Sequence, residues 1–292
     1  MILATDPFQL RSVPVSEAVR AVASAGFEAI ELSPRDGLLQ HRSEVRPDAA
    51  EIKKLREACE ACGVAVASVF IVQPWASTDS HKRMSAVRGL KVAMETAREL
   101  GCSRLNTELT GSPEDVDGSR DSFRRSVDEL RPMIDDLGIE LAIEPHPFDF
   151  IETSNEAVDL IAELGSEQIG YLYCAAHTFY LGSNVAEMLA YARPYLKHVH
   201  FADTFRPSRY ITNPPTTSRI HQHLDIGQGE VNWLDLLQGL NDIRFTGVAT
   251  VSAFAWEDDA IASLMRNRLA LSRILEGTAL EKSEREVGGH ND

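Results

Sequence analysis

The chain is short of cations. Among its 292 residues, 29 Lys and Arg stand against 44 Asp and Glu, a formal charge of −15. A surface of that sign repels phosphate backbones and argues against a nucleic-acid partner. Long apolar runs are absent as well. No stretch of about 18 consecutive apolar residues occurs, so no membrane span is expected. The opening residues, MILATDPFQLR, lack the basic stretch, apolar core and small-residue cleavage site of a secretory leader. A cytoplasmic location is therefore expected. Cysteine is scarce, with Cys59, Cys62, Cys102 and Cys174 only. Cys59 and Cys62 form a C-x-x-C that no second C-x-x-C or C-x-x-H follows, so a zinc knuckle is not supported. They read as two thiols on a helix face in a reducing compartment.

Short β-rich runs alternate with longer helical patterns. Eight runs read as strands: ILATDP, FEAIELS, VAVASVF, SRLNTEL, IELAIEP, QIGYLYC, LKHVHFAD and GVATVSAF. Helical patterns cover Val15–Ala25, Asp48–Cys62, His81–Leu100, Ser122–Leu137, Ser154–Glu163, Val185–Ala192, Trp233–Leu240 and Asp258–Leu275. Gly26, Gly63, Gly101, Gly138 and Gly165 stand where helices should end. Eight strand–helix units predict a single-domain α/β fold, the (β/α)8 TIM barrel. A doubly wound sheet is the competitor, but it wants a Gly-rich first turn and ATDPFQL has none. The barrel is expected over 1–277, with a polar, flexible tail over 278–292. The longest irregular stretch, Thr204–Glu230, follows the seventh strand, and loops of that length are usually lids or binding loops.

Active sites of such barrels lie at the C-terminal ends of the strands. The strand ends carry Glu31, Glu108, Glu144 with His146, Cys174 followed by His177, His200 with Asp203, and Ser252. Alternation turns Val199 and Phe201 towards the helices and His198 and His200 towards the axis. The same parity turns Glu108 and Glu144 inward. Six of the nine histidines fall between His146 and His223. Carboxylates and imidazoles crowded at one barrel mouth repel and desolvate one another unless a cation is present, and a divalent metal takes both as ligands. Simpler readings stand beside this one. His198 reads as a hydrogen-bonded core histidine, Glu31 and Glu108 also suit interior ion pairs, and Asp203 also suits a loop cap. In HQHLDIGQGEVNW, Gly227 and Gly229 read as a turn before a helix. No Lys-Ser/Thr follows them, so a phosphate loop is not supported.

The strings GFEAIELS, ELAIEPH, LKHVHFAD and GQGEVNW resemble the xylose-isomerase-like TIM barrels over most of the chain. ATDPFQLR, EPHPFDF, YLYCAAHTFYLG and HQHLDIGQGEV are more similar still to the branch serving myo-inositol catabolism. The resemblance implies one divalent metal (Mn, Zn, Co or Mg) and a carbohydrate or cyclitol substrate. In the epimerase branch the metal is held by Glu, Asp, His and Glu on the last four strands. Here those positions carry Glu144, Cys174, His200 and Ser252, so two carboxylates are missing. The family's DNA-repair endonuclease branch suggests replacements at His177 and His223. The implied metal set is Glu144, His177, His200 and His223, with Cys174 read first as a small buried residue and second as a thiolate ligand.

The expected activity is that of an isomerase or epimerase that removes a proton beside a metal-bound carbonyl. Glu108 or His146 is the expected base, with Glu144 also at the reacting centre. Arg206, Arg219, His221 and Asp203 are expected to contact substrate or its surroundings, and Trp75 and Trp256 to wall the sugar. A 3-keto-glycoside eliminase, or a metal-free binding or partner subunit, are the alternatives. A homo-oligomer or a hetero-subunit role stays open.

Overall fold

Eight parallel strands pair in sequence order and close on themselves. They are β1 (Ile2–Thr5), β2 (Ala29–Leu32), β3 (Ala65–Phe70), β4 (Arg104–Glu108), β5 (Glu140–Glu144), β6 (Ile169–Cys174), β7 (Leu196–Phe201) and β8 (Val248–Val251). Closure is made by β1 and β8, with Ile2 opposite Val248 and Thr5 opposite Val251. This is the (β/α)8 barrel that the alternation predicts, in a computed structural model that describes residues 1–182, 184–206 and 222–288, with side chains through 277. No helix among the described residues is long and apolar enough to cross a membrane.

The helices are α1 (Val15–Ser24), α2 (Ala49–Cys62), α3 (Ser80–Glu99), α4 (Val116–Leu137), α5 (Ser154–Ala162), α6 (Ala175–Tyr180), α7 (Val185–Ala192), α8 (Trp233–Asp242) and α9 (Ala260–Gly288). The five glycines expected at helix ends all take positive φ, as a left-handed cap requires. α4 starts at Val116 rather than Ser122, because Asp115 caps it through the Gly118 N–H. Its first turn is too polar to show an apolar period. α6 was not anticipated: it follows β6 with no linker, and AAHTFY is too short to display helical spacing. The α9 backbone runs on to Gly288, past Gly277.

Strand parity sorts the core. Leu141, Ile143, Val199 and Phe201 are fully buried against the helices. Ala142, Leu172, Cys174, Ala176 and Ala202 form a separate cluster inside the barrel, and Ala4, Ala29, Ala67 and Val248 form another. Small side chains there leave axial room for the buried polar groups Glu31, Asn106, His198, His200 and Thr250.

Candidate active site

Inward parity delivers Glu31, Glu108, Glu144, Cys174 and His200 to the C-terminal mouth. Glu31, on β2, is the hub of the deeper layer. Its Oε1 lies 2.8 Å from His200 Nε2, and its Oε2 accepts from Ser68 Oγ at 2.6 Å and from Asn106. His198 stands 3.3 Å away, meets Thr250 Oγ1 at 2.9 Å, and forms with Glu31 and His200 a buried group of metal-type donors. Burial opposes the charge on Glu31, but His200 and His198 outweigh it and lower its pKa to about 2.

Glu144 ends β5 between two imidazoles. Its Oε1 is 2.9 Å from His177 Nδ1, and its Oε2 is 3.4 Å from His200 Nδ1. Both nitrogens of His200 therefore face carboxylates. Burial opposes a positive charge on His200, yet Glu31 and Glu144 hold its pKa well above the ordinary value. His177 is raised in the same way, by Cys174 and Glu144 acting against burial.

His223 reaches the same place from the loop after β7. Its Nδ1 is 2.7 Å from the Ser252 carbonyl. A carbonyl only accepts, so Nδ1 carries the proton and Nε2 presents a lone pair in the neutral ring. The Glu144 carboxylate, 2.9 Å from His177 Nδ1, favours a proton on that nitrogen by its charge. The two Nε2 atoms then face each other at 3.2 Å, which requires a proton or a cation between them. Cys174 completes the group: one donor atom from each of Cys174, His177 and His223 lies within 4.8 Å of the others, all three buried. A second buried triad, Glu144, Cys174 and His200, shares the thiol. Two imidazoles, each backed by an acceptor, and one thiol suit a divalent transition metal. Cys174 stands both in the apolar cluster inside the barrel and in these two donor groups.

Above these donors is a cavity of about 330 Å³ lined by Asp6, Glu108, His146, Ser252 and the apolar Phe8, Phe70 and Phe254, among others. Glu108 pairs in register with Glu144. Burial, then the Glu144 charge, raises its pKa to about 8. His146 stacks edge-on to His177 at 4.6 Å, and burial lowers its pKa to about 4. Of the two, only Glu108 has its pKa shifted towards neutral pH. Phe254 stacks on His223 at 4.1 Å and Phe70 meets His200 edge-on at 5.6 Å.

Asp6 and His41 also line this cavity, and neither was anticipated. Asp6 lies two residues beyond inward-facing Ala4, so parity extended past β1 would have found it. It accepts from Ser33 Oγ at 2.5 Å and Phe8 N at 3.0 Å. Burial, then Glu31, raises its pKa to about 7. His41 sits in a loop with no periodic signal.

Several expected contacts need correcting. Asp203 is fully buried and binds its own loop. It accepts from Thr204 N (2.9 Å), Gly227 N (2.8 Å), Val231 N (3.0 Å) and Trp233 Nε1 (2.9 Å). No capacity remains for a substrate or a histidine. A Cβ on Gly229 would lie 2.2 Å from Asp203 Oδ1 and 2.4 Å from the Thr204 carbonyl, so that glycine is required by close approach. Trp75 is fully buried, packs on Phe123 at 4.9 Å and donates to the Glu108 carbonyl at 2.7 Å. It walls no sugar. Trp256 donates to Gln228 Oε1 at 2.7 Å, and the aromatic wall is phenylalanine instead. Arg206 is exposed, 5.6 Å over the Phe179 ring, and does not line the cavity. Arg219 and His221 lie outside the described residues.

The chain is thus a closed (β/α)8 barrel with metal-type donors clustered at its C-terminal mouth. The chain belongs to the xylose isomerase-like TIM barrel family, whose model matches residues 19–268. It is 24% identical over 152 residues to a D-psicose 3-epimerase of Enterocloster bolteae, covering 51% of this chain and 45% of that one. It is 26% identical over 174 residues to an inosose isomerase of Bacillus velezensis, covering 56% and 58%. The chain thus matches about half the length of these curated relatives. A crystal structure of the IOLI protein with a binding zinc atom superimposes with a TM-score of 0.75 at 17% identity, covering 95% of this chain and 99% of that one.

Proposed function

We propose that the protein is a divalent-metal-dependent isomerase or epimerase acting on a keto-sugar or keto-inositol. The observation that carries this reading is the His177–His223 pair, with inner nitrogens 3.2 Å apart beside Cys174 and open to a cavity that holds Glu108. Cys174, His177 and His223 would hold the metal, with Glu144 positioning His177 from behind. His200, which bridges Glu31 and Glu144, offers a further donor through the group it forms with Glu144 and Cys174. The metal, when bound, supplies Lewis acidity that polarises a carbonyl and stabilises charge developing on its oxygen. The sugar names of the family relatives support the substrate class, and a zinc atom in the IOLI protein supports the metal.

Glu108 takes the proton from the carbon beside the carbonyl. Its raised pKa makes it a stronger base than an ordinary carboxylate. Epimerisation needs a second group on the other face to return a proton. Ser252 cannot do this, which is the case for one-base elimination from a 3-keto-glycoside. Asp6 answers that case. Asp6 N donates to the Val251 carbonyl at 2.8 Å, placing the Asp6 carboxyl one strand over from Ser252 in the same cavity. Phe8, Phe70 and Phe254 cover the apolar face and exclude water.

The test is to incubate protein purified without chelator with keto-inositols, D-psicose and 3-keto-glycosides in D₂O. Retained skeleton with deuterium on carbon is expected. A released aglycone would favour elimination. Metal below about 0.2 equivalents, with no thermal stabilisation by Zn²⁺ or Mn²⁺, would sink the metal-enzyme reading.

A further inference from the structure

A second cavity, of about 650 Å³, opens beside the first and is lined by Arg42, His81, Lys82 and the hydroxyl residues Ser77, Ser85 and Ser112, among others. Among the described residues no carboxylate lines it directly, in a chain carrying a net −15, although Glu114 accepts from Ser112 Oγ at 2.6 Å and Asp79 acts on His81 and Lys82 from the start of α3. Arg42 and Lys82 are exposed and enter no ion pair of the described residues. Nearby arginines are neutralised, Arg46 by Glu95, Arg83 by Glu129 and Arg88 by Glu44. Asp79 caps α3 with its carboxylate on the His81 and Lys82 N–H groups, leaving their side chains to the cavity. Arg42 is held at φ 54° with its N–H on the Val72 carbonyl at 3.0 Å. A non-glycine residue there is uncommon.

The two cavities are lined by neighbours along the chain. His41 and Val72 line the candidate active site, and their neighbours Arg42 and Gln73 line the basic cavity. Thr110, two residues past Glu108, lines it as well. Residues 41–42, 72–73 and 108–110 thus each lead from one cavity lining to the other. We propose that the basic cavity is an anion subsite, and that the substrate is a sugar or cyclitol carrying a phosphate ester or a carboxylate that seats against Arg42 and Lys82. Arg42 offers a planar fork for oxyanions and Lys82 a point charge. The assignment of the anion to a substrate rests on the function proposed above. The existence of the anion site does not.

The experiment uses the full chain at constant ionic strength, with inorganic phosphate and acetate as separate titrants followed by calorimetry. Saturable phosphate binding is expected, weakened about tenfold or more by Arg42→Gln and again by Lys82→Gln, since charge-assisted bonds are lost. Acetate binding of equal strength would assign a carboxylate substituent, and its absence a phosphate. His223→Ala should leave phosphate binding unchanged, so loss of the metal centre and loss of the anion site read separately. No saturable binding of either anion, or binding indifferent to both substitutions, overturns the proposal.

Discussion

The Nε2 atoms of His177 and His223 lie 3.2 Å apart, and each ring is held from behind, by Glu144 and by the Ser252 carbonyl. Two fixed lone pairs at that separation call for a cation or a proton. The cation can be removed, replaced or denied its ligands, and each change has an expected outcome.

His223→Ala should remove bound metal and abolish the thermal stabilisation by Zn²⁺ expected of the wild type. At about 100 times Kd that stabilisation is about 2.7 kcal/mol. Metal analysis alongside thermal unfolding checks it. Unchanged metal content would exclude His223 as a ligand.

Cys174→Ser should shift the preference from Zn²⁺ towards Mn²⁺ and Mg²⁺, because a hydroxyl is a harder and weaker donor than a thiolate. Competition between Zn²⁺ and Mn²⁺, read by metal content, tests this. An unaltered ratio would mean that the thiol lies outside the ligand set.

Glu108→Gln and Asp6→Asn should each lower kcat by about 10²–10⁴-fold, the range for losing one proton-transfer group. If the two serve opposite faces, each variant still exchanges the substrate C–H with D₂O from one epimer only. Exchange from both epimers in Asp6→Asn would remove Asp6 from the mechanism.

Glu108 also sets a pH dependence in the metal-free protein. Its pKa is about 8 in the fold against an ordinary 4.5. Below pH 4.5 both states are protonated and the group costs nothing. Between 4.5 and 8 the unfolded chain ionises first, so stability falls as pH rises, by at most about 1.4 kcal/mol per pH unit. Glu108→Gln should therefore gain on wild type steadily from pH 5 to pH 8 in urea unfolding. A difference that is flat with pH contradicts the raised pKa.

Asp203→Ala should cost about 3 kcal/mol or more, since it leaves four N–H donors without their acceptor. Denaturant unfolding measures it. Trp75→Phe should lower stability by about 1 kcal/mol through the lost bond to the Glu108 carbonyl, and should not act by removing a sugar contact.

The barrel was legible because its signal is local. Strand parity in LKHVHFAD and IELAIEP already turned His200 and Glu144 inward, and the glycines at 63 and 138 already ended helices. Parity carried one step beyond ILAT would have reached Asp6. The partner of each polar group was not legible, because partnership joins residues far apart in sequence. Asp203 and Trp75 looked like site residues by type and position, and only packing shows that the loop and the core saturate them.

By itself, then, the sequence determined the eightfold strand–helix order, the face each strand residue presents and the end of the barrel where chemistry collects. These follow from periods of two and of 3.6 residues, which neighbours along the chain enforce. The tertiary structure alone decided that Cys174 joins His177 and His223, that His200 is held between Glu31 and Glu144, and that Asp6 stands beside Ser252. Those relations depend on the closure of β8 on β1 and on the pairing of Leu224 with Asp203 that sets His223 beside Ser252, and distance along the chain carries no information about either.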